Sequence, residues 1–387
     1  MDQLPFPADN PLALAPRYRD LQTTEPLTRV LTRAGDPAWL ASGYDLVKEL
    51  AMNPALGRSH PEPERAARNH NAALLGGPNG DFATEREQHQ RMRRVLTPAF
   101  SAKRMRALED AIGDRVDGIL DSLGDPPVDL HAALSAPLPV LVICELLGAP
   151  YSDYERFRSW SNQLAGLEDA TASYAAMEEF NAYTADLLER KRREPGEDVY
   201  TDLANAEGMG VEEAAQLAQG LLFAGHETTM TRIDLGVLLF IQNPDQKDKL
   251  LADPSLVDNA VEEIVRLTVG TGSSAGSLLR YAAEDISVGS TVIRRGEAVL
   301  LGFGPANRDP AQFDRPDEFD ITRKPNPHVG FGHGPHFCIG NSLARIELRV
   351  VFARLFQRFP TLRLDTDELT FRHDTVTGGV TALPVTW

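Results

Sequence analysis

The stretch FGHGPHFCIG, Phe331 to Gly340, holds Cys338, one of only two cysteines in a chain of 387 residues. Glycines at 332, 334 and 340 let the backbone fold tightly there and approach a flat partner without a Cβ in the way. The apolar pattern of Ile339 to Phe359 predicts a helix, so Cys338 sits at a helix start. Backbone N–H groups and the positive end of the helix dipole at such a place are expected to lower the thiol pKa and favour thiolate.

A thiolate in such a loop has several uses. A zinc site would draw on His333, His336 and Cys338, but a structural zinc takes four protein ligands and no second cysteine pair supplies them. A nucleophilic cysteine needs a partner base, and only His336 is near in the chain. A buried, inert thiol is the plainest reading. A haem iron needs a single axial thiolate. The loop by itself leaves all four open.

Composition narrows the class. Two cysteines, Cys144 and Cys338, give no disulfide framework, so a reducing, cytoplasmic setting is expected. The opening residues MDQLPFPADN lack a basic region followed by an apolar run, so no signal peptide is expected. The most apolar stretch, Ala136 to Pro150, is broken by prolines and by Glu145. It falls short of the roughly 18 apolar residues of a membrane span. A net charge of −17 argues against binding nucleic acid or anionic membrane. Against that acidic body two basic clusters stand out: Arg91, Arg93, Arg94, Lys103, Arg104 and Arg106, and then Arg345, Arg349, Arg354 and Arg358.

The chain shows no repeat and reads as one domain, residues 1–387, mainly α with a minor β region. The part before Leu56 reads as a small sheet with short helices, and the turn-rich Ala67–Glu85 as a long loop, which in a compact domain is usually functional. Arg86 to about Asn205 is mostly helical, broken at Asp125-Pro126-Pro127, Gly148-Ala149-Pro150 and Glu194-Pro195-Gly196. Val211 to Asn243 predicts one helix of about 50 Å, ending before Pro244. Its Leu217, Leu221, Ala224 and Thr228 share a face. A helix over about Asp258 to Leu267 follows, and then a β-rich segment, 280–302, in which ISV-GS-TVI reads as a hairpin.

Separated motifs in order decide among the uses of Cys338. Phe331-x-x-Gly334-x-x-x-Cys338-x-Gly340 resembles the haem-binding loop of the cytochrome P-450 family. AGHETT, Ala224 to Thr229, resembles that family's oxygen-activation motif. Glu263-x-x-Arg266 is similar to its buried Glu–Arg motif, and His89-x-x-x-Arg93 with Arg280 to its haem propionate partners. The resemblance runs over essentially the whole chain and favours the soluble bacterial branch. It implies a long central helix over haem b, with the cysteine loop beneath and Cys338 on the iron. Cofactor contacts would come from His89, Arg93, Ala224, Gly225, Arg280, Phe331, Gly332, His336 and Gly340. Glu227 and Thr228 would be the acid–alcohol pair, Gly225 would clear space for oxygen, and Glu263–Arg266 would brace the loop. His333 falls back to a structural or outward-facing reading.

By the same resemblance, Leu221, Leu222, Val269, Leu278 and Val376 would line the substrate pocket. The segment LTVGTGSSAGSLL lacks the proline expected shortly before Arg280 and suggests a roomy pocket for a bulky natural product. The implied reaction is hydroxylation or epoxidation of a medium-to-large secondary metabolite. It would use O₂ and electrons from NAD(P)H through ferredoxin reductase and ferredoxin, in a monomer. The two basic clusters would face the acidic ferredoxin. A peroxide-using haem-thiolate enzyme and a non-catalytic carrier-protein binder are the competing readings. The intact Glu227–Thr228 pair counts against the first, and intact Cys338 and Thr228 against the second.

Overall fold

A 32-residue helix, Val211–Gln242, runs through the molecule and organises the rest. Gly210 enters it in an extended conformation, and Glu212 and Glu213 in the first turn suit the positive end of its dipole. It stops at Asn243 because the residue before a proline disfavours helical geometry. Around it pack the helices Pro137–Leu147, Ala170–Arg193, Val257–Thr268 and Asn341–Arg358. At Gly236 the crossing is so close that a Cβ would come within 2.3 Å of Phe352 Cζ.

The computed structural model describes residues 1–8, 12–167, 169–268 and 276–387. Each predicted break in the helical half ends an element. The helix Ala102–Ser122 stops before the paired prolines, Pro137–Leu147 is capped by Gly148 in the left-handed region, and Ala170–Arg193 stops before Pro195. The predicted hairpin forms between Ile286–Val288 and Thr291–Ile293, with Ile286 opposite Ile293.

The two β-rich segments are not separate. Asp2–Gln3, Leu27–Leu31, Pro37–Ala41, Ala298–Gly302, Ser277–Ala282 and Leu56–Gly57 lie side by side, in that order, in one sheet. Trp39 pairs in parallel register with Val299. A further small sheet joins Arg363–Leu364, Pro384–Thr386 and Val128–Asp129. Neither arrangement has a local sequence signal. Among the described residues, no helix is long and apolar enough to cross a membrane.

Glu263 and Arg266, one turn apart on Val257–Thr268, are both wholly buried and make a two-pronged ion pair at 2.7 Å. Arg266 also donates to the carbonyls of Asn307, Pro316 and Glu318, and Glu263 accepts from Arg323 and Asn326. The pair thus ties this helix to the irregular segment that leads into the cysteine loop.

Candidate active site

Along the buried central helix, Ala224 and Thr228 are exposed because they face a cavity of about 380 Å³. Leu221 and Gly225 lie on the same wall. Leu222, the next residue round the helix, points the other way into the helical core and is wholly buried. It therefore does not line the pocket as expected, since successive helical residues face about 100° apart. Leu278 and Val376 do line the cavity; Val269 lies outside the described residues. Gly225 has a further neighbour: a Cβ there would press on Ile143 at 3.0 Å. Packing against the helix Pro137–Leu147, as well as clearance in the cavity, favours glycine at this position.

The opposite wall is the cysteine loop, contributing Phe331, Gly332, His336, Cys338 and Gly340. The Cys338 N–H donates to Phe331 O at 2.8 Å and closes the loop, while Gly332 holds φ +77°, a value that favours glycine. The helix begins at Asn341, whose side-chain amide donates to Cys338 O. Burial pushes the Cys338 thiol above its ordinary pKa, overcoming the Gly340 N–H and the guanidinium groups of Arg93 and Arg345 that pull it down. A helix start alone therefore does not make this thiol a thiolate; a coordinating metal would deprotonate it outright. Among the described residues, no three His, Cys, Asp or Glu side chains are placed to hold a metal ion, which removes the zinc reading of His333, His336 and Cys338.

The rim of the cavity carries a concentration of positive charge. His89 and Arg93 lie one turn apart on the helix Glu85–Leu96. The His89 and His336 rings are 4.3 Å apart, and the Arg93 guanidinium donates to Phe337 O. Arg280, on the strand Ser277–Ala282, is buried beside them and has its pKa lowered to about 10 by burial and then by Arg58. Burial, with Arg280, His89, Arg58 and Arg93, lowers His336 to about 3. Burial, with Arg93, Arg58 and Arg280, likewise lowers His89, and the Glu85 carboxylate only partly opposes this. That carboxylate is already engaged by the backbone N–H groups of Arg58 and Ser59. His89 Nε2 and Arg93 Nε are buried with no hydrogen-bond partner among the described residues. The other carboxyl near the site, Glu347, lines the cavity but is buried and pushed well above its ordinary pKa by that burial, so the cations of the rim outnumber the anions.

The cytochrome P-450 family model matches residues 170–383, more than half of the chain, and includes the central helix and the cysteine loop. The chain is a cytochrome P-450. It is 45% identical to pentalenolactone synthase of Streptomyces exfoliatus, over the whole of both chains. It is 37% identical to mycinamicin IV hydroxylase/epoxidase of Micromonospora griseorubida, covering 99% of this chain and 98% of the relative. The crystal structure of the LnmA cytochrome P-450 hydroxylase of Streptomyces atroolivaceus superposes with a TM-score of 0.89 at 33% identity and covers both chains fully. This cytochrome P-450 is thus an oxidoreductase, a monooxygenase that uses haem iron and O₂.

The rim fits that cofactor. Haem carries two propionates, and buried carboxylates need partners. Arg93, His89, Arg280 and His336 could hold them, and the orphaned donors on His89 and Arg93 are of the right sign. Arg58 also belongs to this P-450's cation cluster and was not singled out from sequence. It follows a two-residue strand, Leu56–Gly57, and no motif marks it.

The acid on the central helix is placed differently from the alcohol. Glu227 is wholly buried and does not line the cavity. Its Oε2 accepts from Thr377 Oγ1 at 3.0 Å and lies 3.6 Å from the Arg372 guanidinium, and its Oε1 accepts from Ser161 Oγ at 3.4 Å. Thr228 Oγ1 donates to Ala224 O at 2.6 Å, one turn back on its own helix.

Proposed function

We propose that the protein hydroxylates or epoxidises a medium-to-large natural product, using electrons from NAD(P)H delivered by ferredoxin reductase and ferredoxin, with haem b held through Cys338. The observation that carries this reading is one cavity with the Cys338 loop on one wall, Ala224–Thr228 on the other and an anion-poor cationic rim. The secondary-metabolite relatives named above support the substrate class. Bound there, haem supplies the activation of O₂ at a thiolate-ligated iron.

The chain's own residues supply the rest. Arg93, Arg280, His89 and His336 would anchor the propionates, and Phe331 packs under the Arg345 guanidinium to stiffen the loop. Leu221, Leu278 and Val376 would give substrate an apolar wall. Thr228 presents a hydroxyl to the cavity and can hold or pass a proton there, with Glu227 behind it as the acid. Replacing Thr228 by alanine is expected to leave NADPH consumption running while product per NADPH falls by about ten- to a hundredfold, at or below the low end of general acid–base contributions. Peroxide would be released in its place. Turnover driven as well by added peroxide as by reductase and ferredoxin, with T228A unchanged, would displace this reading in favour of a peroxide-using enzyme.

The basic clusters contribute less free charge than the sequence suggests. Arg91 pairs with Glu213, Arg104 with Asp202, Arg345 with Glu262, Arg349 with Glu109, Arg354 with Asp117 and Arg358 with Asp121. Arg94, Lys103 and Arg106 remain exposed without an acidic partner among the described residues. Arg94 adjoins Arg93, which reaches the cysteine loop, and Phe337 of that loop is 38% exposed. An acidic ferredoxin docking there would meet an apolar tip ringed by cations. Reversing Arg94, Lys103 and Arg106 together to glutamate is expected to raise the KM for ferredoxin about tenfold and flatten its salt dependence. The haem spectrum should not change. Unaltered ferredoxin kinetics would remove this face as the docking site.

A further inference from the structure

We infer that Thr377, near the end of the chain, is the hydroxyl through which Glu227 exchanges protons with the cavity. The inference rests on the monooxygenase reading above and adds to it a residue that no motif marks. Glu227 is shut off from the cavity, yet Thr377 both lines that cavity and donates to Glu227 Oε2 at 3.0 Å. Thr228, the neighbouring alcohol, spends its own hydroxyl proton on Ala224 O. Of the two threonine hydroxyls, only that of Thr377 hydrogen-bonds to the acid.

Thr377 is held in place from several sides. The Val376 N–H donates to Ala165 O at 3.0 Å and the Leu167 N–H to Asp374 O at 2.9 Å, fastening the loop to the end of the helix Tyr154–Ala165. The Gly378 N–H donates to Thr375 Oγ1 at 3.1 Å, and a Cβ at Gly379 would lie 3.3 Å from Thr231 Oγ1 on the central helix. An oxygen so fixed between an acid and a cavity can pass protons with no more than a turn of its O–H bond.

The step balances. When solvent protonates Glu227 on Oε2, the Thr377 O–H turns from the acid to an acceptor in the cavity. Glu227 then gives its proton to Thr377 Oγ1 as the Thr377 hydroxyl proton leaves to that acceptor, which restores the Thr377-to-Glu227 hydrogen bond. One O–H bond forms on Thr377 as another breaks, and Glu227 is left as carboxylate. Solvent replaces its proton on the side of Arg372, whose guanidinium is 14% exposed and faces the resulting charge.

The test compares Thr377→Val, which keeps the shape but loses the hydroxyl, with Thr377→Ser, which keeps the hydroxyl. Haem-loaded enzyme is given NADPH, O₂ and a surrogate ferredoxin and reductase, without organic substrate, and peroxide is measured against O₂ consumed. In T377V the peroxide fraction is expected to rise at least about threefold and the solvent isotope effect on O₂ consumption to change, with T377S close to the parent protein. In a second arm, infrared spectra of the resting enzyme locate the carboxylate stretch that Glu227→Gln removes; T377V should shift it. A shifted band with an unchanged peroxide fraction and isotope effect would leave Thr377 as a positioning contact and overturn the relay. No change in either arm would overturn it outright. If the parent protein consumes no O₂ with this pair, the ferredoxin route of the proposed function fails instead, and the infrared arm alone decides whether Thr377 acts on Glu227.

Discussion

Cys338→Ser is expected to abolish the thiolate-type Soret shift of the reduced, carbon-monoxide-bound protein and to eliminate monooxygenation. The loop supplies one soft ligand to the cavity, and a serine oxygen cannot donate electron density to iron as a thiolate does. Haem uptake should fall less than activity, because the cationic rim of Arg58, Arg93 and Arg280 is untouched. Cys144 is the internal control. It lies in the core on Pro137–Leu147 with its thiol pushed up to about 12 by burial, so C144S should leave the spectrum unchanged. A thiolate-type spectrum surviving in C338S would end the assignment of the iron ligand.

The largest effect on stability is expected from Arg266→Ala. The change strands Glu263 as a wholly buried carboxylate, and three carbonyls, of Asn307, Pro316 and Glu318, lose a donor. Breaking one side of a buried pair typically costs about 3–5 kcal/mol, against a total stability of about 5–15 kcal/mol for native proteins. At about 2.1 cal/mol/K of unfolding entropy per residue, a chain of 387 residues shifts by about 1.2 °C per kcal/mol, so Tm should fall by roughly 4–6 °C. The segment Asn307–Glu318 leads into the cysteine loop, so the variant should also lose haem during purification. Thermal unfolding within 1–2 °C of the parent would show that the pair braces nothing.

What could be read from the chain was what its neighbours in sequence decide. The cysteine loop, AGHETT and Glu263-x-x-Arg266 each pack their requirement into a few residues, and the helix breaks follow from prolines and glycines at fixed places. The central helix is visible because its apolar run is long and ends at a proline. Leu221 and Leu222 mark the limit of such reading. Both are apolar and adjacent, and only the rotation of the helix decides which one sees the cavity. The free charge of the basic clusters was illegible for another reason: the acids that neutralise part of them, such as Glu213 for Arg91 and Asp117 for Arg354, come from elsewhere in the chain. Arg58, and the contact of Thr377 with Glu227, were silent because each depends on partners far away in the chain. Thr377 meets Glu227 across 150 positions. The sequence shows the helix start beside Cys338 but not the burial that opposes its effect on the free thiol.

The pairing of Pro37–Ala41 with Ala298–Gly302 has a consequence for how the protein is made. A ribosome adding about 5–20 residues per second needs on the order of ten to fifty seconds to get from the first of these strands to the second. Through that interval the early strands present an unpaired edge, which invites association between nascent chains. Cys338, the proposed iron ligand, emerges later still. Chaperone supply during synthesis should then raise the yield of folded chain.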